Sequence, residues 1–164
     1  MFRFAPGRGL TALILWLGLA GCGFKLAGSA DLPESLNSIY LASQDLSDTQ
    51  RAALIERLER AGTRLSPSPE GAAELSVRLR VIPDRTLVKS ASTGKTVERL
   101  ARRLDYSIKS AGGSLLTEPR SLIQQRDITL DDDNLHSSGR ERSDVIRDLE
   151  QALFNQLVHQ LTRL

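Results

Sequence analysis

Leu75, Val77, Leu79 and Val81 alternate with Ser76, Arg78 and Arg80. An apolar period of two turns one side of an extended chain to a core and the other to water, as in a strand of a one-sided antiparallel sheet. The pattern resumes at Leu100, Leu104, Tyr106 and Ile108, with Arg99, Arg103, Asp105 and Lys109 opposite. It returns once more over 120–130, where Leu122, Ile128 and Leu130 fall in phase. Between these runs, Ser92-Thr93-Gly94-Lys95 and Ala111-Gly112-Gly113-Ser114 carry turn chemistry. The spacing therefore predicts two consecutive hairpins, hence three antiparallel strands. Pro83 has no N–H to give to a ladder, so it marks an edge or a bulge.

The remaining elements follow from shorter signals. Ser38–Ser43, with Ile39, Tyr40 and Leu41, reads as a short strand. Ser47-Asp48-Thr49-Gln50 fits a capping box, and Leu54, Ile55, Leu58 and Ala61 then recur at helical spacing up to Gly62. A helix over about 48–61 is expected. Ser66-Pro67-Ser68-Pro69-Glu70-Gly71 is a turn before the first long strand. Ser137, Ser138 and Gly139 precede a final helix expected over about 141–163, with Val145, Leu149, Leu153, Leu157 and Leu161 at steps of four. The order is β-α-β-β-β-α. The fold class is α+β, a small mixed and mainly antiparallel sheet of about four strands with two helices packed on one face.

The first twenty-two residues read differently. Arg3 and Arg8 precede the apolar run Leu10–Leu19, with no acid before Asp31. Ten apolar residues are too few to span a bilayer, which takes about 20. Length, basic flank and small-residue exit fit a secretory signal peptide. Leu19-Ala20-Gly21-Cys22 resembles the lipobox of bacterial lipoproteins, in which the cysteine thiol is diacylglycerated and the chain is cut before it. That resemblance implies removal of 1–21, a Cys22 carrying N-palmitoyl and S-diacylglycerol groups, and an acylated tether over 22–37 ahead of one domain over 38–164. Three acyl chains exceed the two-signal requirement for stable membrane anchoring. Gly23 in place of Asp after the cysteine favours the outer membrane in the sorting rule that accompanies the lipobox. Cys22 is the only cysteine, so no disulfide can form within the chain.

Processing also changes the charge. The precursor has 22 Lys+Arg against 20 Asp+Glu, a formal net charge of +2 and a pI near 9.0. Arg3 and Arg8 leave with the leader, so the exported chain is neutral. Phe24, Tyr40, Tyr106 and Phe154 are then its only aromatics. So few rings and no net charge make a poor stacking platform for single-stranded nucleic acid, and no nucleic-acid partner is expected. Two histidines and one cysteine cannot build a Cys/His zinc site. Asp131-Asp132-Asp133-Asn134 lacks the spacing and closing Glu of a calcium loop and reads better as a solvated turn. His136 near Asp132 meets no nucleophile motif, and His159 borders the final helix's apolar stripe. No catalytic set is visible, so neither an enzyme nor a cofactor is expected.

The basic residues carry more information. Lys89 and Lys95 flank the first hairpin tip, Arg99, Arg102 and Arg103 follow, and Arg140 and Arg142 lie at the start of the final helix. If tip and helix start share one end of the sheet, these cations could clamp the phosphates of an anionic ligand. Glu98, Asp105 and Glu141 neutralise some of them, so ordinary polar strand and helix faces are the competing reading.

Cys22-Gly23-Phe24-Lys25-Leu26, then Gly28 and Leu32-Pro33, then Ile39-Tyr40-Leu41 run in an order that continues through the helix ending at Gly62 and the hairpin bearing Leu104-Asp105-Tyr106. With the terminal helix closing on Gln160-Leu161-Thr162-Arg163-Leu164, the chain resembles the LptE family of lipopolysaccharide-assembly lipoproteins. The resemblance implies an outer-membrane lipoprotein, anchored on the periplasmic side, that partners and plugs the β-barrel LptD. It implies help in assembling that barrel and in inserting lipopolysaccharide into the outer leaflet. It also implies direct lipopolysaccharide binding by basic residues near the hairpin tip and before the last helix, matched here by Lys95 and Arg142, with Lys89 and Arg140 as substitutes. The alternative is a periplasm-facing structural envelope lipoprotein with no barrel partner.

Overall fold

The structure, a computed structural model, describes residues 32–131 and 134–164. Residues 1–31, which include the expected leader, Cys22 and most of the expected tether, and Asp132 and Asp133 lie outside the described residues. The elements in chain order are β1 (Ser38–Gln44), α1 (Asp48–Arg60), β2 (Arg64–Leu65), β3 (Ala73–Ser90), β4 (Lys95–Lys109), β5 (Leu115–Asp131) and α2 (Leu135–Leu161). The sheet order is β2-β1-β3-β4-β5. β1 runs parallel to β2 and β3, whereas β3, β4 and β5 form the two antiparallel hairpins. The fold is α+β with both helices on one face. The fifth strand is the two-residue β2, which makes β1 an internal strand.

The alternation of the long strands sets that face. Leu75, Val77 and Leu79 pair with Ile108, Tyr106 and Leu104, and Leu104 pairs with Leu122. These side chains meet Leu54 and Leu58 of α1 and Leu153, Phe154, Leu157 and Leu161 of α2 in the main core. A smaller cluster of Leu100, Ile128, Val145 and Leu149 lies nearer the first hairpin tip. The long hairpins thus extend well past the main core, and among the described residues their outer halves are covered by the first part of α2.

Local chemistry places the boundaries. Ser47 Oγ accepts from the Gln50 N–H at 3.3 Å and Gln50 Oε1 accepts from the Ser47 N–H at 2.9 Å, a complete capping box. Gly62 closes the helix end at φ 91°, the left-handed region that glycine adopts without a Cβ penalty. Pro83 does not end β3. Instead, two residues, Pro83 and Asp84, bulge between the paired Ile82 and Arg85.

Three boundaries differ from the sequence reading. α2 begins at Leu135, six residues early, because the Asn134 side chain accepts from the Ser137 N–H and caps it. Ser137, Ser138 and Gly139 therefore lie inside the helix. Ser138 is buried, and its hydroxyl donates to the Asp131 carbonyl and accepts from the Asp131 N–H. β5 starts at Leu115, five residues before the expected strand, because the turn at 110–114 leads directly into the ladder. Leu32 and Leu36, expected in a tether, are buried in the main core, and the Leu32 N–H donates to the Ala61 carbonyl at 3.1 Å.

Candidate functional site

The strand register decides whether the basic residues converge. Ser90 pairs with Lys95, Lys89 with Thr96, and Lys95 with Asp131. The first hairpin tip and the chain leading into α2 therefore occupy the same end of the sheet. Lys95 and Arg140 are both exposed there. Lys89 is also exposed, across the ladder from Thr96. Arg140 borders a shallow depression in α2 with His136, Ser143 and Arg147. The four sequence-designated cations do share one end of the molecule.

They do not share one environment. Arg142 reaches from α2 down to the sheet, where its guanidinium donates to Asp84 and, at 2.5 Å, to Glu98. Burial works against its charge, but the Asp84 hydrogen bond and the charges of Glu98 and Asp84 prevail and raise its pKa above the ordinary arginine value. The bulge at Pro83 makes this contact possible. One extra residue shifts the strand's phase, so Asp84 reaches the helix side while Arg85 resumes the pairing with Arg99.

Arg102 extends the network. Its side chain is 7% exposed, 3.9 Å from Asp84 and 4.0 Å from Glu150 of α2. Nη1 donates to the Ala101 carbonyl at 2.8 Å, while Nε has no hydrogen-bond partner among the described residues. Two arginines and three carboxylates thus fasten the first part of α2 to the outer half of the sheet. Sequence reasoning missed this role for Arg102 and for Asp84. The only signal was a basic residue at an inward-facing position of β4, in phase with Leu100 and Leu104.

The opposite, helix-free face holds a second set of charges. Asp105 accepts from Arg103 at 2.6 Å and from the Ser121 hydroxyl at 2.6 Å, with Arg80 at 3.1 Å. Burial pushes its pKa up, but the Ser121 and Arg103 hydrogen bonds and the two guanidinium charges outweigh this and hold it below the ordinary carboxylate value. Arg99 makes a bidentate pair with Asp127 at 2.7 and 2.8 Å.

No protein-family model and no curated protein matches this sequence. Solved structures do share the architecture. A minor lipoprotein from Acinetobacter baumannii superposes with a TM-score of 0.62 at 22% identity, covering 78% of this chain and 92% of that one. An uncharacterized lipoprotein B from Nitrosomonas europaea gives 0.66 at 19% identity, over 85% of this chain and 90% of that one. The rare lipoprotein B from Shewanella oneidensis gives 0.66 at 14%, over 77% and 95%. At such identities the likeness is one of fold. It is nonetheless a fold found in three bacterial lipoproteins.

Proposed function

We propose that this chain is an outer-membrane lipoprotein, acylated at Cys22, that plugs the β-barrel LptD, assists its assembly and takes part in inserting lipopolysaccharide into the outer leaflet. The observation that carries the reading is the coincidence of a lipobox at Leu19–Cys22 with a fold shared by three lipoproteins. The C-G-F-K-L start narrows it to LptE-like proteins by resemblance. A neutral exported chain with interspersed charges suits a polar barrel lumen, where one strong field would cost desolvation. No catalytic role is assigned.

Lipopolysaccharide binding belongs to the tip end of the sheet, with unequal parts for its cations. Lys95 and Arg140 are exposed, and in this reading they make the direct phosphate contacts. Lys89 supports them from the neighbouring strand position. Arg142 holds the end of the site together through Asp84 and Glu98, and a phosphate reaching it must share it with both carboxylates. The test is lipopolysaccharide binding by the full chain carrying Lys95→Asp and Arg140→Asp. Affinity is expected to fall about tenfold or more, as for two lost charge-assisted contacts, with unfolding unchanged. Undiminished binding by the folded double variant would remove the tip from the ligand site.

A further inference from the structure

The helix-free face of the outer sheet carries an arrangement that the proposed tip site does not use. Arg80 lies directly opposite Arg103, and Arg85 directly opposite Arg99, across the β3–β4 ladder. Like charges facing each other on adjacent strands are destabilising. Two such pairs on one face call for anionic compensation, and the chain supplies only part of it. Asp105 serves Arg80 and Arg103 together, and Asp127 serves Arg99. Arg85 has no acidic partner among the described residues. Four guanidiniums against two carboxylates leave a local excess of two positive charges.

Between the two arginine pairs lies the Ile82–Ala101 pair, its Ala101 buried, with Pro83 at its rim; Gln125 lies across the ladder from Ala101, and Ile123, 54% exposed, lies across from Arg103. Together with Arg85, Arg99 and Gln125 they line an open groove of about 460 Å³ whose apolar part is Ile82, Pro83, Ala101 and Ile123. Along β4 the order is Arg103, Ala101, Arg99, three positions of one face. At about 3.4 Å per residue, the two arginine pairs stand about 14 Å apart with the apolar pair midway. A second extended chain laid over this face repeats with the same rise. Its residues i, i+2 and i+4 would meet the first arginine pair, the groove and the second arginine pair in turn.

We propose that this face docks an extended segment of a partner protein that presents acid, apolar side chain and acid at i, i+2 and i+4. Sheet faces pack about 10 Å apart with strands nearly aligned, which brings the partner's carboxylates within reach of the arginine forks. Charge complementarity chooses the occupant. The two uncompensated positive charges match two carboxylates, and the apolar interval matches one side chain between them. The inference does not depend on the identity of any barrel partner or on lipopolysaccharide binding.

The test uses the full chain in non-ionic detergent and a fluorescent peptide, Thr-Glu-Thr-Val-Thr-Glu-Thr, followed by anisotropy. Binding is expected to weaken as salt rises, and to fall about tenfold in the Arg80→Gln, Arg85→Gln double variant. That variant keeps the Arg103–Asp105 and Arg99–Asp127 pairs, so its fold is preserved. A peptide with the central valine replaced by asparagine should bind more weakly, and one with lysines for glutamates should not bind. A Lys95→Asp, Arg140→Asp protein should bind the peptide normally, which separates this face from the tip site. The inference is overturned by absent binding, by equal affinity in the arginine double variant, or by equal affinity for the asparagine peptide. Preferential binding of phosphatidylglycerol vesicles through Arg80 and Arg85 would also overturn it, by making the face a membrane contact.

Discussion

Arg142 and Arg140 stand two positions apart on the same helix, yet they do different work. Arg142 is bonded to Asp84 and Glu98, carboxylates that are only 25% and 20% exposed, while Arg140 faces solvent. Removing one partner of a buried pair leaves an uncompensated charge. With a third of the Arg142 side chain exposed, solvent tempers that cost, and Arg142→Ala is expected to destabilise the domain by about 2 kcal/mol. Arg140→Ala should fall within about 0.5 kcal/mol of the parent. Urea denaturation of both variants checks the contrast.

Asp105 gives a pH signature at the same scale. Its pKa is depressed in the folded chain, so its contribution is complete above the ordinary carboxylate range near pH 4 and is lost as pH falls through the lower folded value. Asp105→Asn should therefore cost about 1 kcal/mol at pH 7 and lose part of the acid-induced decline in stability below pH 4. A pH series of thermal melts on parent and variant measures both effects.

Among the elements, α2 behaves as two segments. Its later part places Leu153, Phe154, Leu157 and Leu161 in the main core, each no more than 1% exposed. Its earlier part rests on Val145, Leu149 and the arginine–carboxylate network over the smaller cluster. Leu157→Ala is expected to cost about 3 kcal/mol, and Val145→Ala about 1 kcal/mol because that site sits at the edge of a small cluster. Amide exchange should be faster over 135–146 than over 150–161, reflecting the difference in buried apolar contact. Uniform protection along the helix would contradict the division.

The same helix shows what patterning can and cannot reveal. From Val145 onward the steps of four were legible, because each one lands on the core. The first two turns carry no apolar repeat, and Ser137-Ser138-Gly139 reads as a breaker when the Asn134 cap and the Ser138–Asp131 bonds are unseen. β2 was illegible for a related reason. Arg64 and Leu65 form a strand only because β1 offers its edge, and two residues cannot show a period. Ser47–Gln50 and Gly62, by contrast, bound α1 through bonds between near neighbours, which the sequence displays directly. The candidate site divides along the same line. Lys95 and Arg140 could be picked from sequence, but Arg142's ties to Asp84 and Glu98 depend on contacts 58 and 44 residues away. The paired arginines of the open face needed the strand register.

Over the whole molecule, net charge says little and its distribution says much. Residues 22–164 balance to zero, yet positive charge gathers along β3, β4 and the start of α2, while the main core lies toward the opposite end of the sheet. An acyl anchor at Cys22 would lead into the described fold at Leu32, which is tied to the end of α1. The end of the fold that Leu32 enters and the charged end are thus built by different parts of the chain, which suits the proposed combination of an acyl anchor and a ligand surface. In the function proposed for this chain, the charged surface works inside a β-barrel partner. Affinity purification of the full acylated chain in mild detergent, followed by native mass measurement, tests it most directly. A stable complex with one large outer-membrane β-barrel protein is expected; recovery of the lipoprotein alone under those conditions would contradict the proposed function.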